Sequence, residues 1–329
     1  MRALRGLVAV VTAFSAVVAT GAVGAAAESD RSYVCAGGNI PSGTYSSVRV
    51  TGFCYVPSGL VRVEGNLTIA RGALLDAMTP AGFPVSPANL PGIVQVEGNV
   101  NVRETAVLIL GCDLAILCSP GNSTYPGPPG LYPSHPELGF SNPGDIVGGN
   151  IVGDGALAVI VHSVKIEGNA SLNGGGGGPI QLTGGPGSGA CFDQTLVPFP
   201  PAWSATSLAH IPPTFGGPFP VYTDFEENSI GGNLVMKGLQ TCWMGALRNK
   251  VRGNLVDLNN TFGDPDANEV LGNIVEGNIA CAGNNSVVQF GDSGGMSNIV
   301  SGNARGECGF NVIDPIAKLP ISVKAPESE

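Results

Sequence analysis

A short Gly-Asn turn followed by an alternating strand recurs along this chain and constrains its fold more than any other feature. Glu64-Gly65-Asn66-Leu67-Thr68-Ile69 returns in closely similar form as Glu97–Val102 and Glu167–Leu172. In each copy apolar residues take the first and third positions after the asparagine, and a polar residue lies between them. This two-residue period is typical of a strand with one buried face. Looser copies begin at Gly149, Gly232, Gly253, Gly272, Gly277 and Gly302.

The spacing of the copies predicts the architecture. Uninterrupted copies lie about 19 to 25 residues apart, a length that accommodates three short strands and three turns, or one coil of a parallel β-helix. Glycine and asparagine suit the bends because both tolerate positive φ. In the C-terminal half a second asparagine lies five residues before the Gly-Asn, as in Asn228 to Asn233 and Asn298 to Asn303. We therefore predict an all-β, right-handed parallel β-helix whose stacked turns form asparagine ladders.

Other folds fit the pattern less well. A β-sandwich also has many short strands, but it gives no reason for the same turn to recur at the same place. A chain with 12% charged residues and 50 glycines is poorly suited to long amphipathic helices. The repeat resembles that of secreted bacterial right-handed β-helix proteins of the pectate-lyase-like architecture, over roughly Cys35–Ile316 without two insertions. The resemblance matches no characterised subfamily, so it implies a fold and not an activity.

The N-terminal residues have the three parts of an export signal. Arg2 and Arg5 precede an apolar run from Leu7 to Val18, and small residues end in Ala25-Ala26-Ala27. This layout predicts a signal peptide over residues 1–27 and a secreted, extracellular protein. A transmembrane anchor is the alternative, but the apolar run is short for one. We expect a single β-helix domain over residues 28–316 and a polar tail over 317–329.

The charge of the chain limits its partners. The net charge is −10, and removal of Arg2 and Arg5 with the signal peptide makes it −12. Nucleic acids and anionic membranes are therefore poor partners, because both need clustered lysine and arginine. A polysaccharide, a cationic ligand or a metal ion is compatible with this charge. We expect a monomer.

Eight cysteines in an exported chain predict disulfides. Neighbours in sequence close the shortest loops, so the expected pairs are Cys35–Cys54, Cys112–Cys118, Cys191–Cys242 and Cys281–Cys308.

Two long Pro- and Gly-rich segments interrupt the repeat, at about 112–144 and 173–228. Loops of this length are often functional. Their aromatic residues Tyr132, Trp203 and Tyr222 are candidates for stacking on sugar rings, with Asp224 and Glu226 as polar partners.

The segment Asp264-Pro265-Asp266-Ala267-Asn268 begins like a calcium-binding EF-hand loop but departs from it, since Glu269 stands where that loop has glycine. Asp264, Asp266, Asn268 and Glu269 remain candidate oxygen ligands for Ca²⁺.

A complete catalytic set is missing from the sequence. The Asn-Thr-Asp, Gly-His-Gly and Arg-Ile-Lys segments of polygalacturonase-like enzymes do not occur. A lyase needs carboxylates near an arginine or lysine base, and the acids near residues 224–227 with Arg248, Lys250 and Arg252 on one strand offer such a set. We expect these charges to form a solvated outer face. The favoured function is therefore a non-catalytic surface or glycan-binding protein. One alternative is a carbohydrate-active lyase or hydrolase, which requires acids and bases to converge beneath the large insertion. The other is a structural protein whose molecules stack end to end.

Overall fold

A computed structural model describes residues 31–79, 92–112, 144–176, 222–263, 267–290, 296–310 and 312–313. These residues form a right-handed parallel β-helix, as the repeat predicts. The expected signal peptide, most of both insertions and the polar tail lie outside the described residues.

Three long sheets, called A, B and C here, run along the solenoid. Strands are numbered in chain order. Sheet A contains β1 (Ser32–Cys35), β4 (Ser47–Val50), β7 (Leu67–Ile69), β10 (Val100–Val102), β13 (Ile151–Asp154), β16 (Ala170–Asn173), β19 (Leu234–Lys237), β23 (Leu255–Leu258), β27 (Ile279–Ala282) and β29 (Ala304–Gly306). Sheet B contains β2 (Gly38–Asn39), β5 (Phe53–Tyr55), β8 (Leu74–Thr79), β11 (Val107–Cys112), β14 (Ala158–His162), β17 (Tyr222–Glu226), β21 (Trp243–Leu247) and β25 (Asn268–Leu271).

Sheet C contains β3 (Gly43–Tyr45), β6 (Gly59–Val63), β9 (Gly92–Val96), β12 (Ile146–Val147), β15 (Lys165–Ile166), β18 (Ser229–Ile230), β22 (Lys250–Val251), β26 (Ile274–Val275), β28 (Asn298–Val300) and β30 (Val312–Ile313). A small parallel pair is formed by β20 (Gln240–Thr241) and β24 (Thr261–Phe262), each of which follows a strand of sheet A and precedes a strand of sheet B in the chain. A 3₁₀ helix spans Glu307–Phe310. The chain visits A, B and C in turn, so each coil pairs in parallel with the coils before and after it.

The core is the interior of the solenoid. From β7 to β27 of sheet A the first and third strand residues point inward, as the repeat predicts, and Leu67, Val100 and Leu234 stack in one row. A strand that has a parallel neighbour on each side leaves few backbone groups without a hydrogen bond. The inward aliphatic side chains form one continuous hydrophobic cluster. The apolar positions of the repeat therefore account for the buried core.

The predicted asparagine ladder follows the turn from sheet C to sheet A. Each backbone N–H donates to the Oδ1 of the asparagine in the preceding coil, at 2.7 to 2.9 Å. The rungs are Asn66, Asn99, Asn150, Asn169, Asn233, Asn254, Asn278 and Asn303. The glycine before each asparagine serves close approach and not positive φ: a Cβ on Gly168 would lie 2.6 Å from Asn150 Oδ1. The expected reason for these glycines was therefore wrong.

A second, buried ladder follows the turn from sheet B to sheet C. In each rung but the last, the backbone N–H and the side-chain amide both donate to Oδ1 of the asparagine in the following coil. The rungs are Asn228, Asn249, Asn273 and, at the end of the ladder, Asn298. Each side chain from Asn249 to Asn298 also caps a carbonyl in sheet B. Gly272-Asn273 belongs to this ladder, so its interpretation as a copy of the first turn was wrong. The residue just before each of the first three rungs is left-handed, with φ of 56° at Glu227, 54° at Arg248 and 66° at Gly272.

Two of the four expected disulfides are confirmed, and they lie near the two ends of the described solenoid. Cys35–Cys54 joins β1 to β5, and Cys281–Cys308 joins β27 to the 3₁₀ helix. Cys242 is also disulfide-bonded. The Cys112–Cys118 and Cys191–Cys242 pairings stay predictions, because Cys118 and Cys191 lie outside the described residues.

In the described part of the chain, no helix has the length and apolar character needed to cross a membrane. The described chain also departs from one predicted boundary. The second insertion was expected to reach residue 228, but Tyr222–Glu226 forms β17, a regular strand of sheet B.

Candidate functional site

Charged side chains converge on the outer face of sheet B. Alternation along β17 turns Phe225 into the core and places Asp224 and Glu226 on the opposite face. The strand register sets Glu226 beside His162 of β14 and Asp224 beside Ile160. Both long insertions adjoin this sheet, since one follows β11 and the other precedes β17. The site therefore lies where the repeat is interrupted.

His162 is the centre of the cluster. Its Nε2 lies 2.6 Å from Asp224 Oδ2 and 3.8 Å from Glu226 Oε2. The three side chains are almost fully enclosed, with relative exposures of 7% for His162, 3% for Asp224 and 7% for Glu226. A nitrogen and two carboxylate oxygens thus meet in a site that water barely reaches.

Arg248 holds the two glutamates from the following coil. Its left-handed backbone lies over Glu227, and its guanidinium contacts Glu226 Oε1 through Nη2 and Glu227 Oε1 through Nε at 3.2 Å. Burial raises the pKa of Glu227 to about 7, although the nearby imidazole of His162 acts in the opposite direction. Among the described contacts, one guanidinium thus serves the carboxyl groups of both Glu226 and Glu227.

The expectation that these charges form a solvated outer face was wrong. Arg248 is only 5% exposed, and it does not share a strand with the other expected bases, because it lies in the turn between β21 and β22. Lys250 begins β22 and points to Glu276 of the next coil, at 3.9 Å. The basic row that the alternation predicted is thus divided between a buried turn and an exposed strand.

Several buried polar atoms in this region lack a hydrogen-bond partner. They are His162 Nδ1, Ser163 Oγ and Asp224 Oδ1. An unpaired buried polar atom costs roughly 1 to 3 kcal/mol. Such atoms are rare in folded proteins, and strain, a catalytic role or a bound water or ion accounts for them.

Trp243 lies on the same outer face and is half-buried. The Cη2 end of its indole passes over Gly245, where an added Cβ would lie 2.6 Å from Cη2 and 2.5 Å from Asp224 Oδ1. Gly245 therefore leaves the space in which the indole and the carboxylate come together. An aromatic ring beside a carboxylate is a combination suited to sugar recognition, since the ring packs on C–H groups and the acid accepts from hydroxyls.

The predicted binding residues have separate outcomes. Asp224 and Glu226 lie in the charged cluster, and the backbone of Tyr222 pairs with Trp243. Tyr132 and Trp203 lie outside the described residues. Their proposed stacking on sugars stays a prediction.

The predicted calcium ligands are divided between two faces. Asn268 points into the core and donates to Asp257 Oδ2 at 3.2 Å, whereas Glu269 points outward and accepts from Gln289 at 3.0 Å. Consecutive strand residues face opposite sides of a sheet, so these two side chains do not meet. Asp264 and Asp266 lie outside the described residues, and a calcium site there stays a prediction.

Asp257 is a charged residue in an inward position of sheet A, fully enclosed between Met236 and Cys281. It accepts hydrogen bonds from the amides of Asn260, Asn268 and Asn284. Burial raises its pKa to about 7. This group is part of the interior and offers no surface for a ligand.

A shallow cavity of about 280 Å³ lies on the outer face of sheet C, bordered by Arg62, Glu97 and Glu167. Arg62 and Glu97 form an ion pair that is half exposed. Exposed pairs of this kind contribute little energy. The sheet B face, with its enclosed charges and its indole, is the stronger candidate site.

Sequence reasoning missed His162 and Trp243 as site residues. His162 follows the apolar run Ala158–Val161 and has no motif around it, and Trp243 lies in a strand of the repeat, away from the long insertions. The two-residue alternation could have indicated them, because it places both side chains, one polar and one large, on the outward face of strands in sheet B. Recognising it required knowing which strands belong to that sheet.

The fold and this site define the chain as a right-handed parallel β-helix protein with an enclosed charged cluster on one outer face. Comparisons with protein-family models, with curated proteins and with solved structures gave no match for the chain.

Proposed function

We propose that this protein is an extracellular polysaccharide-binding β-helix whose binding surface is the outer face of sheet B. The observation that carries the proposal is the position of Trp243, whose indole lies over Gly245 beside the Asp224 carboxylate. A sugar ring packs on the half-buried indole, and its hydroxyls face the polar edge formed by the cluster.

The architecture supports a binding surface for a chain-like ligand. Coils of a β-helix repeat at roughly 4.8 Å, so one face presents equivalent positions in a row along the axis. The backbone of Tyr222 pairs with that of Trp243 on adjacent strands of sheet B. A polysaccharide extends along the solenoid and contacts more than one coil.

Export and a monomeric state belong to the same proposal. The disulfides Cys35–Cys54 and Cys281–Cys308 fit an oxidising compartment. They lie near the two ends of the described solenoid, where they limit end-to-end stacking of coils. Size-exclusion chromatography at increasing concentration tests the monomer, and a rising apparent mass contradicts it. Mass spectrometry of secreted protein beginning near Glu28 tests the cleavage.

A glycan array followed by titration of each positive polysaccharide tests the binding function. Trp243→Ala is expected to abolish binding, and Phe310→Ala, which removes an exposed aromatic ring near the C-terminal end of the described solenoid, serves as the control. Loss of binding in Trp203→Ala with full binding in Trp243→Ala contradicts the location of the site. Absence of any bound glycan on the array contradicts the function.

A lyase or hydrolase acting on polysaccharide is the second candidate. The observation in its favour is that acids and bases converge on one face, with His162, Asp224 and Arg248 within one contact network. Such a set supplies the proton transfers that sugar-bond cleavage needs. Release of reducing ends or unsaturated products by the wild type, with loss in Asp224→Asn, supports catalysis. Binding without any product under the same conditions leaves the binding function alone.

A further inference from the structure

His162, Asp224 and Glu226 form a compact set of metal-ligating atoms. One atom from each, a ring nitrogen and two carboxylate oxygens, lies within 4.8 Å of the others. All three residues are enclosed. Two adjacent strands of a continuous sheet hold them, so their spacing is fixed by the register of β14 with β17.

We propose that these three side chains bind a divalent transition-metal ion of the zinc class. The contacts around Glu226 show how its carboxylate is divided between two partners. Arg248 contacts Oε1, which leaves Oε2 facing His162 Nε2. A neighbour that fixes the second oxygen of a ligating carboxylate is a common feature of metal sites, because it orients the oxygen that binds.

An unpartnered atom is the second observation that points to a ligand. Asp224 Oδ1 is buried and has no hydrogen-bond partner. An ion bound by both oxygens of Asp224 satisfies Oδ1. It also takes the place of the short contact between Nε2 and Oδ2, at 2.6 Å, since both atoms then point at the ion and not at each other.

The charges favour a dication. Two carboxylates, those of Asp224 and Glu226, meet in a space that water barely reaches, and Arg248 is the guanidinium that contacts Glu226 there. Carboxylates enclosed in this way are costly without cationic partners, and a bound dication supplies one.

The donor types select the ion. Calcium and magnesium prefer sets made only of oxygen, and Cu⁺ prefers sulfur. One imidazole nitrogen with two carboxylates suits Zn²⁺, with distances of about 2.0 to 2.2 Å. Three protein ligands leave a fourth position for water or for a group of a bound ligand. This site is separate from the predicted calcium ligands at residues 264–269.

Metal analysis of the full chain tests the proposal. The protein is stripped with a chelator, dialysed against Zn²⁺ and measured by plasma mass spectrometry, with about one zinc per chain expected and a higher Tm than in the stripped protein. His162→Ala is expected to lose the zinc. His135→Ala and His210→Ala change the other two histidines, and both are expected to retain it as controls.

A second measurement does not depend on a variant that folds. Anomalous diffraction at the zinc edge from wild-type crystals is expected to place the ion between His162 and Asp224. The proposal is overturned by substoichiometric zinc, by zinc elsewhere, by binding of Ca²⁺ with no binding of Zn²⁺, or by a folded His162→Ala that keeps its zinc. Both proposals use the Asp224 carboxylate, so sugar binding at Trp243 is measured separately with glycans, on the zinc-loaded and on the stripped protein, and each proposal keeps its own readout.

Discussion

His162 Nε2 lies 2.6 Å from Asp224 Oδ2 although 62 residues separate the two in the chain. The register of β14 with β17 produces this contact, because it stacks consecutive coils on either side of the large insertion. The insertion therefore leaves the solenoid without disturbing its pairing. A buried acid–base contact arises where a regular repeat resumes.

Gly245 provides the first prediction. In Gly245→Ala the new methyl would lie 2.5 Å from Asp224 Oδ1 and 2.6 Å from Trp243 Cη2, so the indole must move outward. Affinity for the bound polysaccharide is expected to fall at least tenfold, equivalent to about 1.4 kcal/mol. Isothermal titration calorimetry measures it. Gly309→Ala is the control, because the nearest atom to its Cβ lies 3.8 Å away; equal affinities in the two variants contradict the placement of the sugar.

The buried asparagine ladder provides the second prediction. Asn249→Ala leaves the carbonyl of Phe225 and the N–H groups of Asn228 without their partners inside the protein. Because buried groups without partners cost roughly 1 to 3 kcal/mol each, the free energy of unfolding is expected to fall by about 3 kcal/mol. Urea denaturation measures the loss. The exposed end rung Asn303 donates to a single neighbour, and Asn303→Ala is expected to cost less than about 1 kcal/mol; equal losses contradict the ladder's role.

Asp145 provides a pH-dependent prediction. It lies just before β12, at the position that asparagines take in later coils, and its Oδ1 accepts from the Val94 N–H at 2.7 Å. Burial raises its pKa from 3.8 to about 7. The folded state thus holds the proton more tightly than the unfolded state, so this group's contribution is most favourable below about pH 4 and is lost as the pH rises toward 7.

Asp145→Asn removes that dependence while keeping an acceptor for Val94. The variant is expected to be more stable than the wild type at pH 8, by at most about 4 kcal/mol, and nearly equal to it at pH 4. Urea denaturation of both proteins at the two pH values measures the difference. Asp257 is present in both proteins, so its own pH dependence cancels in the difference between their stabilities. A difference that stays constant with pH shows that Asp145 does not titrate in this way.

The terminal disulfides provide a local prediction. A Cys281→Ser, Cys308→Ser variant opens a loop with a sequence separation of 27, and coils interact mainly with their neighbours. Amide hydrogen exchange is expected to accelerate in β27 and β29 and to stay unchanged in β10 and β13. The predicted local loss is about 3 kcal/mol. Uniform acceleration through all sheets contradicts a nearest-neighbour solenoid.

The fold could be predicted from the sequence because the residues that determine each coil, the turn and its alternating strand, lie close together within each repeat. Asn66, Asn99 and Asn169 recur in the same short segment, and stacking turns equivalent positions into a ladder. The two terminal disulfides were also predictable from proximity in the chain. The role of the ladder glycines was not, since it depends on the carbonyl and amide of the coil below, as at Gly168.

The charged cluster was only partly predictable. Asp224 and Glu226 were expected at the end of the insertion, and the alternative of converging acids and bases described their neighbours. Burial could not be predicted, because outward residues of a β-helix normally face solvent, whereas His162, Asp224 and Glu226 are enclosed. His162 and Trp243 lie in the site because of the register between neighbouring strands. That register cannot be deduced from the spacing of repeats when two long insertions interrupt them.

The most direct test of the account is the emission of Trp243 during titration with polysaccharide. Trp203→Phe leaves Trp243 as the sole tryptophan of a chain that has two. A saturable change in its emission, with the same midpoint as calorimetric binding and absent in Trp203→Phe, Gly245→Ala, is the predicted result. Polysaccharide that binds by calorimetry without altering Trp243 emission, or a complete absence of binding, contradicts the proposal that the outer face of sheet B recognises sugars.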